Sequence, residues 1–325
     1  MSLSQLERAA DVVARECLAA RPGENALLIS DAAVAPEVRQ ALLQGLARAG
    51  ALPHELAVDF SAGVPALDLL DRAMLGAATA VVAAVSQSLT YNRALAELRQ
   101  RGGRVLSIPR VERGMLERVA ASDVPAMRAL TQHTIGALAE ARQTLELRAE
   151  AGTRLRLDIS AAGLDVIDGF VGPGEIDQLP AGVVSVVGDH AEGEIMITGP
   201  LSLLDELDAP IRLVIEESTI VAIEGGAAAE RLRALLDAFP DPAARRAARH
   251  CPAEVGIGTN PSVVYQPSPR FSPEQARAVG MVHVGLGDDH LFPHGSVLAP
   301  LHADFLLPGA EVWLDGVRFQ PEPRS

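Results

Sequence analysis

The chain has 325 residues, 48% hydrophobic and 22% charged, a globular composition too long for one ordinary core and suited to two domains. Its net charge of −14 repels nucleic acid and anionic membranes, and 3% aromatic residues leave little for a base-stacking platform. The partner expected is a small-molecule substrate, with no nucleic acid and no membrane.

Two cysteines, Cys17 and Cys251, make no disulfide framework and read as reduced thiols of a cytoplasmic protein. Met1-Ser2-Leu3-Ser4 runs straight into a charged amphipathic stretch, which is not the pattern of a signal peptide. No run of about 18 residues is apolar and uncharged, so no membrane span is expected.

The first half alternates between two periods. Leu6, Ala9, Ala10, Val13 and Cys17 predict a helix over 4–20, with Ser4 as its cap. Ala26 to Ser30 reads as a short buried strand, and a helix over 35–49 follows, stopped by Gly50. Strand-like runs recur at 55–59, 79–85 and 104–108, with helical patterns at 65–75 and 91–101. Strands alternating with helices predict parallel βαβ units, a Rossmann-like order. A long helix over 124–150, capped by Asp123 and opened by Pro125, is expected to close this half. Neither G-x-G-x-x-G nor G-x-x-x-x-G-K-[ST] is present, so the first domain reads as structural or dimerising.

From Gly152 the period changes to two, at 154–159, 183–187, 194–197, 211–215 and 220–223. This predicts a β-rich second domain, with helices at 226–238, 242–249 and 273–278. The expected fold is therefore α/β: a Rossmann-like parallel-sheet domain over 1–150, then a β-rich α+β domain over 151–325 that carries the chemistry.

The metal-capable residues crowd the last quarter. His283 lies in a strand-like Val282–Gly287, where Gly285 shares its face and leaves room beside the ring. His302 and Asp304 are two apart, so on a strand they point the same way and grip one ion. Two histidines and an aspartate leave open positions on an octahedral ion. The competing reading is a plain His302–Asp304 ion pair beside a satisfied strand histidine. Glu254, beside Gly256 and Gly258, is a ligand, a substrate contact or a turn residue. His294, on a loop between the ligand segments, is an acid–base group or merely solvated, and His290 more simply solvated. His190 reads as a polar turn residue and Tyr265 as a packed side chain.

Several segments occur in the order seen in the aminopeptidase T-like family, which the chain resembles over nearly its whole length. They are Pro22-Gly23-Glu24, Ser107-Ile108-Pro109, Leu179-Pro180-Ala181-Gly182, Glu224-Gly225-Gly226, Glu254 to Pro261, Val282 to Gly287, His302-Ala303-Asp304 and Leu314-Asp315-Gly316. The resemblance implies one of two chemistries. One branch is two-metal aminopeptidases. The other resembles 2,5-dihydroxypyridine 5,6-dioxygenase, which holds one ferrous ion with two histidines and an aspartate. Carried onto this chain, that triad falls on His283, His302 and Asp304. Ala278 stands where the peptidases carry a metal-bridging glutamate, and an alanine cannot bridge two ions. Val183 stands where many relatives carry glutamate after Pro-Ala-Gly. The stretch from His283 to His302 is shorter than in the pyridine enzymes, which implies a different substrate pocket.

The expectation is a mononuclear Fe(II) dioxygenase that opens a hydroxylated (hetero)aromatic ring, with His294 or Glu254 as acid–base group. The alternatives are a hydrolase using Zn or another divalent ion, with Glu254 as base or ligand, and a degenerate member that binds without metal. The family's habit implies a homodimer.

Overall fold

The computed structural model describes residues 3–60, 69–89, 92–141, 143–204, 206–290 and 292–321. Its contacts divide the chain into two units, Met1–Ser122 with Ile167–Ala181, and Asp123–Val166 with Gly182–Ser325.

The first unit is built on a parallel sheet. Its strands are β1 (Asn25–Asp31), β2 (Leu52–Val58), β3 (Ala80–Val85), β4 (Arg104–Pro109) and, from the returning segment, β7 (Ile176–Gln178), in the order β2-β1-β3-β4-β7. Every residue of β3 and β4 is buried, as expected of strands covered on both faces. The helices are α1 (Gln5–Val12, continued by a π-helical turn Val13–Cys17), α2 (Pro36–Arg48), α3 (Leu69–Ala77), α4 (Arg93–Gln100) and α5 (Arg113–Ala120). Ser4 and Glu7 form a capping box on α1, and Gly50 at φ +91° follows the end of α2. In such sheets ligands enter where the strand order reverses, here between the C-terminal ends of β1 and β3. There Asp31 accepts hydrogen bonds from the Ser86 amide and hydroxyl, both at 2.6 Å. The α5 helix and β7 were not expected from the sequence. Of the pattern at 65–75, residues 65–68 lie outside the described residues.

The second unit opens with α6 (Val124–Glu140), capped by Asp123 and carrying Pro125 in its first turn. The helix expected over 124–150 therefore ends ten residues early, and Thr144–Arg148 is a strand, β5. Leu145 and Leu147 alternate with Thr144 and Glu146, so the leucines reach the core only on a pleated backbone. The contacts place this whole segment in the second unit.

The remaining strands are β6 (Arg154–Ile167), β8 (Val183–Ile197), β9 (Ile211–Glu216), β10 (Thr219–Glu224), β11 (Glu254–Gly258), β12 (Val282–Gly287), β13 (His302–Leu307), β14 (Glu311–Leu314) and β15 (Val317–Arg318). Among the described residues they join β5 in one sheet, ordered β13-β12-β11-β8-β6-β5-β14-β15, with β9 on β8 and β10 on β9. The two runs read at 183–187 and 194–197 are one strand, bent where His190 and Gly193 take φ +51° and +128°. Helices α7 (Ala227–Asp237) and α8 (Pro242–Ala248) lie where periodicity placed them. The helix expected at 273–278 is only a 3-10 turn, Gln275–Arg277. Ala278 is pulled into extended backbone and bridges Asn260, which ends the turn. One face of β11, β12 and β13 sends Val255, Ile257, Val284, Leu286, Ala303 and Phe305 into the core. The opposite face is free to carry chemistry.

Candidate metal centre

Strand register assembles the site. On the face away from the core, Glu254 of β11 stands opposite Gly285 of β12, which stands opposite Asp304 of β13. In the flanking rows Gly256 faces His283, and Gly287 faces His302. Residues opposite one another in antiparallel strands share a face, so three strands deliver two carboxylates and two imidazoles to one surface.

The glycines make the room. A β-carbon on Gly285 would stand 2.9 Å from both Glu254 Cγ and His302 Cε1. The space beside Gly285 is therefore taken by Glu254 and His302, not by His283 as the sequence suggested. His283 lies over Gly256 instead, where a β-carbon would run into its Cε1 and Nδ1.

His302 Nδ1 is 2.6 Å from the backbone oxygen of Asp288. A carbonyl only accepts, so Nδ1 carries the proton and the Nε2 of the neutral ring presents a lone pair. That Nε2 is 3.0 Å from Asp304 Oδ1 and 3.3 Å from Glu254 Oε1. A lone pair facing two carboxylates is repelled unless a proton or a cation stands between them. Burial pushes the His302 pKa down, yet Asp304 and then Glu254 outweigh it and hold it well above the usual histidine range. Burial likewise pushes Glu254 up, but the neighbouring His283 and His302 rings hold it well below the usual carboxylate range. Phe292 stacks on the His302 ring at 5.5 Å, and Ser202 Oγ accepts from the Asp304 amide at 3.0 Å.

The donor set suits a divalent ion. One ligand atom each from Glu254, His302 and Asp304 lies within 4.8 Å of the others. Two donors bonded at about 2.0–2.2 Å and subtending a right angle stand about 3 Å apart, as His302 Nε2 and Asp304 Oδ1 do. His283 Nε2 is 3.6 Å from Glu254 Oε2, at the edge of this cluster. Of the triad read from the sequence, His302 and Asp304 come together with Glu254, which is on a strand rather than a turn and only 6% exposed, while His283 shares the face outside that group of three.

The other residues singled out from the sequence lie apart or pack. His294 is exposed on the loop between β12 and β13, at φ +65°, and no hydrogen bond or ion pair joins it to the described residues. His290 pairs with Asp288 at 2.6 Å, and exposed His190 pairs with Glu217 at 3.0 Å. Tyr265 packs beside Ala276, Ala278, Met281 and Leu306. Val183 is fully buried, and both cysteines are free and buried, burial pushing the Cys17 thiol up to about 12. Asp288, Phe292 and Ser202 were not foreseen; their roles depend on loop closure, which leaves no local pattern.

A profile of the 2,5-dihydroxypyridine 5,6-dioxygenase family matches residues 13–320. The chain belongs to that family. It is an enzyme of the dioxygenase family, whose chemistry implies a metal ion and a small-molecule substrate. Its fold is similar to that of 2,5-dihydroxypyridine dioxygenase from Pseudomonas putida KT2440, with a TM-score of 0.77 at 19% identity over 98% of this chain and 96% of that one. It is also similar to wild-type AmpT from Thermus thermophilus, with a TM-score of 0.68 at 17% identity over 97% and 96%. No curated protein sequence matches the chain. No helix among the described residues of this family member is long and apolar enough to cross a membrane.

Proposed function

We propose that this chain is a mononuclear Fe(II) dioxygenase that opens a hydroxylated (hetero)aromatic ring, with His283, His302 and Asp304 holding the ion. The observation that carries this reading is the His302 ring, whose Nδ1 is committed to the Asp288 carbonyl while Nε2 meets Asp304 and Glu254. When bound, a ferrous ion with open positions supplies dioxygen activation and a docking point for a hydroxylated ring. Glu254, kept anionic by two histidines, balances charge beside the ion and is a poor proton carrier. His294, exposed on the following loop, is the residue proposed to pass protons to solvent. The net charge of −14 suits a small diffusing substrate of the cytoplasm, and the working form proposed is a homodimer.

A metallohydrolase using zinc is the second reading, favoured by a second carboxylate at the site, that of Glu254. Against it, Ala278 is buried among Met281 and Leu306 and offers no bridging carboxylate for a second ion. The deciding experiment is anaerobic purification, elemental analysis, and oxygen uptake with 2,5-dihydroxypyridine and related phenols. One iron per chain with oxygen consumption supports the dioxygenase. Zinc with hydrolysis of aminoacyl substrates, or a protein that retains no metal, overturns it.

A further inference from the structure

Two buried polar atoms near the site, Ser185 Oγ and His283 Nδ1, have no hydrogen-bond partner among the described residues. Strand register brings them into one row. Ser185 of β8 stands opposite Gly256 of β11, and Gly256 stands opposite His283 of β12. All three therefore face the same side of the sheet.

The glycine between them has no side chain, and the His283 ring fills that space with its Cε1 and Nδ1 edge. Directly opposed β-carbon positions stand about 4.5–5.5 Å apart, so an imidazole edge lying over Gly256 comes within reach of a hydroxyl turning about χ1 at the next position. Ser185 is also the one polar residue in Val183-Val184-Ser185-Val186-Val187, and it is 1% exposed. An unpartnered hydroxyl there carries a desolvation cost that a valine would avoid.

We propose that Ser185 is the positioning residue of His283: its hydroxyl accepts the Nδ1 proton and so fixes the ring with Nε2 directed at the metal-binding face. His302 has the Asp288 carbonyl for this purpose. No backbone oxygen serves His283 among the described residues, and Ser185 takes its place. Partners of this kind fix the tautomer and orientation of metal-binding histidines. The proposal rests on the reading of His283 as a ligand, but its core, a Ser185–His283 hydrogen bond, is measurable without any metal.

The test uses the full-length chain and Ser185→Ala and Ser185→Thr variants. In metal-free protein at fixed pH, 15N spectra of the histidines, assigned with His283→Gln, report which ring nitrogen of His283 bears the proton. The expectation is a proton on Nδ1 in the wild type, a shift or tautomer mixture in Ser185→Ala, and recovery in Ser185→Thr. Cobalt(II) titration of the same proteins should show affinity falling about 10- to 100-fold in Ser185→Ala. If the His283 resonances and the cobalt affinity are the same in Ser185→Ala as in the wild type, the proposal is overturned. If the wild type binds no cobalt, the metal reading fails, while the metal-free spectra still decide for or against the hydrogen bond. Should Ser185→Thr not fold, the Ser185→Ala spectra alone decide.

Discussion

Gly285 and His302 sit on neighbouring strands so close that a β-carbon on the glycine would stand 2.9 Å from His302 Cε1. The same β-carbon would press on Glu254 Cγ at 2.9 Å, so one methyl group would push apart two members of the donor set. Gly285→Ala is expected to cost about 1–3 kcal/mol by overpacking and to weaken metal binding. Denaturant unfolding and a cobalt titration check this; unchanged affinity would mean that the strands yield without moving the ligands.

Removing ligands should separate metal loss from fold loss. His302→Ala and Asp304→Ala should both abolish stoichiometric metal, read by elemental analysis, because the opposite sheet face keeps its core. Their stabilities should differ. His302→Ala strips a partner from the buried Glu254 carboxylate and should cost about 1–3 kcal/mol in metal-free protein. Asp304→Ala removes a partner of His302 that is 27% exposed and already partly solvated, and should cost less. Equal unfolding midpoints for the two variants would contradict this charge arrangement.

The raised His302 pKa gives a sign to pH effects. In metal-free protein its ion pairs stabilise the fold fully below about pH 6.5, the unfolded value, and the benefit fades as pH rises through the higher folded value. Metal binding runs the other way, since the ion must displace that proton. Apparent affinity should climb with pH through and above the ordinary histidine range, with proton release on binding. Isothermal titration in buffers of different ionisation heat measures the released proton, and a flat profile would exclude His302 as a ligand.

The loop between β12 and β13 is held from within. Asp289 accepts from the Ser296 and Val297 amides at 2.8 and 2.6 Å and pairs with His250 at 2.9 Å. Burial pushes Asp289 up, but His250 and those amides hold it below the usual range. Asp289→Ala should cost about 2–3 kcal/mol and free the loop that presents the Asp288 carbonyl to His302. Hydrogen exchange at Ser296 and Val297 should rise, and metal affinity should fall although no ligand has changed.

A change in the first unit serves as the contrast. Arg104, 3% exposed, holds Glu24 with two contacts of 2.7 Å. Glu24→Ala leaves that buried guanidinium without its carboxylate, with only the Leu18 carbonyl at 2.9 Å among the described residues, a loss of about 3–5 kcal/mol. Thermal unfolding should register this while the 15N spectrum of the His302 ring stays unchanged.

Periodicity made much of the fold legible. The switch from buried runs such as Ala80–Val85 to the alternation of Arg154–Ile159 marked the change from parallel to antiparallel sheet, because each sheet type buries its strands differently. Local chemistry carried the caps at Ser4 and Asp123. It misled at Thr144–Arg148, where a short strand abuts a helix of similar composition and only the pairing with β6 and β14 decides the backbone. The missing helix at 273–278 was likewise settled by a distant partner, Asn260.

At the site, the sequence by itself determined that His302 and Asp304 share a face, because their spacing on any strand requires it. It also placed His283 and Glu254 beside glycines. It did not say which glycine serves which side chain: Gly256 accommodates His283 and Gly285 accommodates Glu254 with His302, since clearance is set by the neighbouring strand and not by the chain's own order. The pairing of His302 with the Asp288 carbonyl, and of Glu254 with two histidines, was decided by tertiary structure alone. Register between β11, β12 and β13 brings Glu254 to 3.3 Å from His302 and 3.6 Å from His283, across distant stretches of the chain, and no local preference encodes that register.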